Sequence, residues 1–173
     1  MEKQEIYIIV AVDEENGIGK NSQLPWNLKK DMKHFVEITT KTKNPKKINA
    51  VMMGRTTWES IPEKYRPLRG RKNIVLTSNN NYKAKGAGIA NSLDKAFSLI
   101  TPEIEKVFII GGGKVFEETI NHPKLTGIFI TKVHGKFDCD TFFPKIPKKF
   151  SLVKKLGSDE ENSTKVDYKL IHR

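Results

Sequence analysis

A chain of 173 residues, 37% apolar and 29% charged, is long enough for one domain with a substantial core. Its composition is that of a globular, soluble protein and excludes a disordered or fibrous one. Lys and Arg total 31 against 20 acids, giving +11 and an isoelectric point near 9.6. That balance suits anionic partners in general, but the lysines are spread along the whole chain, among them Lys29, Lys72, Lys106 and Lys165, without a block, which reads as a solvated surface.

Residues 6–12 form a near-continuous apolar, β-branched run, as in a strand buried on both faces. The run is too short to span a membrane and leads into Asp13-Glu14-Glu15 rather than a cleavage site. Residues 13–17 carry turn chemistry, and 17–22 continue as an irregular loop to Pro25-Trp26. A helix is expected from about Leu28. Its spacing puts Leu28, Asp31, Met32, Phe35 and Ile38 on one face and Lys29, Lys30, Lys33, Glu37 and Lys41 on the other. A carboxylate among large apolar side chains is costly unless paired. Two readings of Asp31 stand: a first-turn acid favoured by the helix dipole, or an acid set in a pocket to hold or protonate a ligand.

Residues 48–53 read as a second strand, and 54–60 open a short helix in which Thr56 and Glu59 have capping-box spacing. Residues 62–71 are a polar connection, 73–77 a third strand and 79–88 a loop. Ser92 is placed to cap a helix running to Ile100, with Pro102 as its stop. A fourth strand at 106–110 precedes Gly111-Gly112-Gly113 and a helix from 114 to about 120. Strands at 128–133, 151–153 and 166–171 follow without helices between them, which suggests antiparallel strands added to a mostly parallel α/β sheet. The single cysteine, Cys139, excludes an internal disulfide and fits a reducing compartment. His34, His122, His134 and His172 lack ligand spacing, so no metal is expected.

Ligands of open α/β sheets gather at the carboxyl ends of the strands. The second strand ends in Gly54-Arg55-Thr56-Thr57, the third in Thr77-Ser78 and the fourth in Gly111-Gly112-Gly113-Lys114. Each has an ordinary explanation as cap, turn or solvated cation. Together, at equivalent positions, they favour a phosphate-bearing ligand. GxGxxG fails at Phe116, and a Walker loop fails at Phe108 and Val115. No Gly-x-Ser-x-Gly elbow is present. Trp26 and Trp58 lack the basic and aromatic interleaving of a nucleic-acid surface, and core packing explains them.

In order and spacing, these blocks closely resemble the dihydrofolate reductase family: Ile18-Gly19 through Leu24-Pro25-Trp26, Asp31 and Phe35, 53–61, 67–73, 110–115, Thr131 and 140–144. The resemblance implies a three-layer α/β/α fold with a central, mostly parallel eight-stranded sheet ending in antiparallel C-terminal strands. It implies hydride transfer from NADPH to C6 of 7,8-dihydrofolate with protonation of N5, in the service of one-carbon metabolism. Asp31 then matches the acid that grips the pterin, with Leu24, Trp26 and Thr131 completing the catalytic set. Ile9, Val10, Met32, Phe35, Ile61, Leu68 and Ile110 match the substrate pocket, and Arg71 the clamp for the substrate's α-carboxylate. Ala11, Ile18, Gly19 and Leu24 match the nicotinamide side of the cofactor site. Arg55, Leu76, Thr77 and Ser78 match the adenosine side. Thr57, Gly112, Gly113, Lys114, Val115 and Thr141 match the pyrophosphate and adjoining groups, Phe116 matches a position near the nicotinamide, and Gly54 and Thr56 match further positions of the cofactor site.

Gly111-Gly112 corresponds to a cis peptide in that family. Phe116 departs from a common tyrosine, and Lys114 and Thr56 from an arginine and a histidine common in bacterial members. The resemblance further implies a cytoplasmic monomer, an antifolate target, without nucleic-acid or membrane partners and without a fused thymidylate synthase. The alternatives are a related NADPH-dependent pteridine or pyrimidine reductase, or a catalytically silent basic protein binding a ligand or nucleic acid.

Overall fold

The structure, a computed structural model, describes residues 3–173. The first half of the chain forms β1 (Glu5–Val12), β2 (Gly17–Gly19), α1 (Lys29–Thr40), β3 (Ile48–Gly54), α2 (Arg55–Ser60), β4 (Arg71–Leu76) and β5 (Ala87–Ala90). The second half forms α3 (Leu93–Ser98), β6 (Ile104–Gly111), α4 (Gly113–Ile120), β7 (Leu125–Val133), β8 (Thr141–Phe142), β9 (Leu152–Glu161) and β10 (Thr164–His172). Eight strands make one sheet in the order β5-β4-β3-β6-β1-β7-β10-β9. All pairings are parallel except those of β10 with β7 and β9. This is the mostly parallel sheet with antiparallel C-terminal strands that the sequence predicts.

Alternation along β1 shows how the layers form. Ile6, Ile8, Val10 and Val12 enter one core with Val115, Phe116 and Ile120 of α4 and Leu93 and Ala96 of α3. Tyr7 and Ile9 enter the other with Val51, Met53, Trp58 and Phe108, against which Phe35 and Ile38 of α1 pack. Ile8, Met52, Met53, Ile74 and Ile109 have zero exposure, and burial of each such side chain contributes about 1.5–3 kcal/mol.

The differences from the sequence reading lie at edges and ends. The expected loop at 79–88 gives way to strand β5 from Ala87. The strand expected at 151–153 extends to Glu161 as the exposed edge β9. The loop at 17–22 is partly paired: β2 is antiparallel to β8, and Lys20 and Gln23 close a tight turn. The capping box of Thr56 and Glu59 does not form. Gly54 is the cap of α2 without a side-chain bond, and Glu59 instead pairs with Arg55 at 2.9 Å and accepts from the Tyr82 hydroxyl at 3.1 Å. Ser92 does cap α3, accepting from Lys95 N at 3.1 Å.

Buried polar side chains tie the loops to this frame. Asn73 accepts from Leu68 N and donates to the carbonyls of Leu68 and Arg71 at 2.9–3.0 Å, fixing the segment that carries Leu68 and Arg71. Asn49 donates to the carbonyls of Thr39 and Lys41 and accepts from Lys106 N, anchoring the C-terminal end of α1 to β3 and β6. Asp13, 1% exposed, accepts from Glu15 N and Gly17 N through one oxygen and from Phe137 N and the Cys139 thiol through the other. Burial alone would raise its pKa, but these donors outweigh burial and hold the carboxyl below the usual range. An acid with a depressed folded pKa stabilises above its unfolded pKa and loses that contribution on acidification. Asp13→Asn turns an amide N–H₂ toward one pair of donors. It is expected to cost about 1–3 kcal/mol at neutral pH, with a gap in Tm from wild type that narrows in acid.

Candidate active site

Asp31 is the third residue of α1, where the chain leaves the loop carrying the buried Trp26 and Leu28. Burial raises its pKa, and the neighbouring Thr131 hydroxyl on β7 opposes that rise. Thr131 is 4% exposed. Trp26, set edge-on to Phe137 at 5.3 Å between ring centres, has a buried indole N–H with no acceptor among the described residues. A donor left this way is costly unless a water or ligand takes it. Arg71 lies at the far end of α1, donating to Thr39 Oγ1 at 2.9 Å and to the Arg69 carbonyl at 3.0 Å. Burial lowers the pKa of Arg71. Among the described residues neither Asp31 nor Arg71 is in an ion pair. Thr39 stands eight residues after Asp31, so the two unpaired charges mark the ends of roughly 12 Å of helix.

Apolar walls fill the interval. Ile9 is buried, and Phe35, Ile61, Leu68 and Ile110 are partly buried against the same core. Val10 does not belong to this wall. Its side chain enters the opposite core, under α4, because adjacent strand residues face opposite ways, and only its backbone is available here. Met32 and Leu24 are each 51% exposed and pack into none of the core clusters. The apolar face of α1 is therefore narrower than its periodicity suggests: Phe35, Ile38 and Thr39 anchor its later turns, while Met32 stands at the lip.

The strand ends of β3 and β6 meet at glycines. The Gly111-Gly112 bond is cis, as is Arg66-Pro67, which the sequence reading missed. A Cβ on Gly111 or Gly112 would lie 3.1–3.2 Å from Thr57 Oγ1, and one on Gly113 would lie 2.8 Å from Thr141 Cγ2. A Cβ on Gly54 would meet Val115 at 3.2 Å and the Gly112 nitrogen at 3.8 Å. The N-terminus of α2 therefore sits against that of α4, with Ile18 and Thr141 of the paired loop beside it. Gly112 caps α4 without a side-chain bond, and the first bond of α4 is Phe116 N to Gly112 O. The N–H groups of Gly113, Lys114 and Val115 have no partner within the helix. Such a cradle, closed to a Cβ and lined with donors, fits a phosphate-bearing group.

Around this cradle, Gly19 closes β2 and Ala11 packs against the cluster of Trp26, Leu28, Val133, Val166 and Tyr168. Lys114 and Thr56 are exposed at the two helix starts. Val115 and Phe116 are buried in the core, Phe116 edge-on to Phe143, which leaves only the backbone of Val115 for a ligand. Leu76, Thr77 and the exposed Ser78 lie at the end of β4, where Thr77 Oγ1 accepts from Asn79 N. Arg55 is exposed and lies over the Tyr82 ring at 4.6 Å as well as pairing with Glu59. Among the described residues no group of three or more His, Cys, Asp or Glu is placed to hold a metal.

Fold and site together define an open α/β protein with a phosphate-accepting crevice at its strand ends and a single desolvated acid beside it. A family model described as dihydrofolate reductase matches residues 5–173, and the chain belongs to that family. It is 42% identical over 175 residues to dihydrofolate reductase of Drosophila melanogaster, covering 96% of each chain. It is 45% identical over 147 residues to a bifunctional dihydrofolate reductase-thymidylate synthase of Glycine max, covering 80% of this chain but only 28% of that relative. The structure resembles dihydrofolate reductase from Enterococcus faecalis complexed with NADP(H) and RAB-propyl, with a TM-score of 0.81 and 35% identity over 99% of this chain and 97% of that one.

Proposed function

We propose that this chain reduces 7,8-dihydrofolate to 5,6,7,8-tetrahydrofolate with NADPH. The observation that carries the reading is the pair of desolvated, unpaired charges at the two ends of α1. Dihydrofolate offers a donor-rich pterin at one end and a glutamate carboxylate at the other, joined by an apolar benzoyl group. Asp31 accepts from the pterin 2-amino group and N3, a bidentate contact that offsets the cost of its burial. Arg71 clamps the α-carboxylate with its planar fork. Phe35, Ile61 and Leu68 flank the ring systems, and the carbonyls of Ile9 and Ile110 face the pterin.

NADPH, when bound, supplies the hydride delivered to C6. The glycine cradle, with Thr57, Lys114 and Thr141, holds its pyrophosphate, and Arg55, Thr77 and Ser78 hold its 2′-phosphate. Ala11, Ile18, Gly19 and Leu24 border the nicotinamide, the loop at 17–24 acting as its lid. The proton reaches N5 through a water that accepts from the Trp26 N–H and bonds Thr131, and the negative charge of Asp31 favours its transfer. Support comes from family membership and from the NADP(H) complex of the Enterococcus relative.

Residues 1–173 are read as one such domain, acting as a cytoplasmic monomer in one-carbon metabolism and open to antifolates, its basic surface serving solvation rather than nucleic acid. Among the described residues no helix is long and apolar enough to cross a membrane. The test is NADPH oxidation by the purified protein with and without dihydrofolate. Oxidation that depends on dihydrofolate is expected, and its absence from folded protein defeats the reading.

A further inference from the structure

Helix α1 does not cap itself. Its cap position is Leu28, extended and apolar, with no side-chain bond to the first turn, and the first helical bond is Met32 N to Leu28 O at 3.1 Å. The two leading N–H groups are taken from far away. Glu161 Oε2 accepts from Lys29 N at 3.0 Å and Glu161 Oε1 from Lys30 N at 2.9 Å, across 132 and 131 residues of sequence. Glu161 ends β9, just before Asn162 and Ser163, whose φ values of 50° and 63° make the tight turn into β10. The same hairpin holds α1 twice more: Lys30 Nζ donates to the Glu160 carbonyl at 3.1 Å, and the His34 ring stacks on Tyr168 at 3.9 Å. The next residue after these capped positions is Asp31. An aspartate in a first turn with free N–H groups beside it can bend back to bond them.

We infer that Glu161 is a positioning residue for Asp31, resting on the reductase reading above: it occupies the N–H groups that Asp31 would otherwise take, fixes the first turn of α1 and leaves the Asp31 carboxylate to the substrate. The N–H bonds to Lys30 and Lys29 hold the Glu161 carboxyl below its usual range, so it remains charged and bonded at neutral pH. Loss of this cap affects the substrate half of the crevice and leaves the glycine cradle alone, because the atoms that crowd Gly111, Gly112 and Gly113 belong to Thr57, Phe116, Thr141 and Ile18 rather than to the hairpin.

The test compares Glu161→Ala, Glu161→Gln and Glu160→Ala in the full chain, measuring kcat and the KM of both dihydrofolate and NADPH. Glu161→Ala is expected to lower kcat/KM for dihydrofolate roughly tenfold, the scale of a lost cap, with the NADPH KM unchanged. Glu161→Gln, which keeps one accepting oxygen, falls between it and wild type, and Glu160→Ala matches wild type. Should Glu161→Ala fail to fold, the Gln variant carries the same comparison. Wild-type kinetics in the Glu161 variants, or equal changes in both KM values, overturns the inference. An inactive wild type overturns the reductase reading instead.

Discussion

Asp31→Asn is expected to lower kcat for dihydrofolate at neutral pH by roughly 10²–10⁴-fold, the range for loss of a positioned acid–base group. The same variant is expected to melt at a higher temperature than wild type. Burial raises the folded pKa of Asp31 against the opposing Thr131 hydroxyl, so the folded state binds its proton more tightly than the unfolded chain. Stability from this group is then complete below the unfolded carboxyl pKa and declines as pH rises toward the folded one. At neutral pH the ionised acid is a cost that asparagine does not carry. Calorimetry across the acid-to-neutral range checks the sign: the variant's advantage grows with pH. A variant that lost both activity and Tm would show Asp31 to be a structural cap.

Arg71→Leu is expected to raise the KM for dihydrofolate roughly 10- to 100-fold, the value of a charge-assisted bond of about 1.5–3 kcal/mol, with little change in kcat or in NADPH affinity. Arg71 is half-buried and, among the described residues, bonded only to Thr39 Oγ1 and the Arg69 carbonyl, leaving donors for a carboxylate. A folate lacking its glutamate should bind wild type and variant alike, which separates loss of the clamp from general damage to the pocket. If NADPH affinity fell equally, the division of the crevice into a substrate half and a cofactor half would be wrong. The comparison also addresses a pteridine reductase, which has no use for a carboxylate clamp opposite its acid.

The central strands were legible because both faces of β1, β3 and β6 are buried, so the apolar runs are almost continuous. The glycines at the end of β6 and the acid on α1 were legible as unusual residues in exposed topological positions. The edges were not. β9 carries Lys154, Lys155, Ser158, Asp159 and Glu160 in a largely exposed strand, and its hydrogen bonds come from β10 rather than from any pattern of its own. β5 is four residues long, two of them alanine and one glycine, and depends likewise on β4. Thr56 and Glu59 had the spacing of a capping box, but an arginine at Glu59's i−4 position and the Tyr82 hydroxyl compete for the carboxylate and hold it. The Glu161 cap had no local signal at all. Only a tight turn at Asn162-Ser163, readable as turn chemistry, could have drawn attention to the hairpin tip.

The first strand of the chain is one of the two at the centre of its sheet. Both neighbours of β1 are parallel and distant: Glu5 pairs with Lys106, and Ile8 with both Ile109 and Ile128. On a ribosome adding 5–20 residues per second, the apolar run of β1 waits roughly 5–20 s for its first partner. In that interval it is a sticky segment with two open edges, and the newborn chain is a natural client for holding chaperones. Refolding from denaturant faces the same loop-closure cost, so collapse comes early and correct pairing of the sheet's centre comes late.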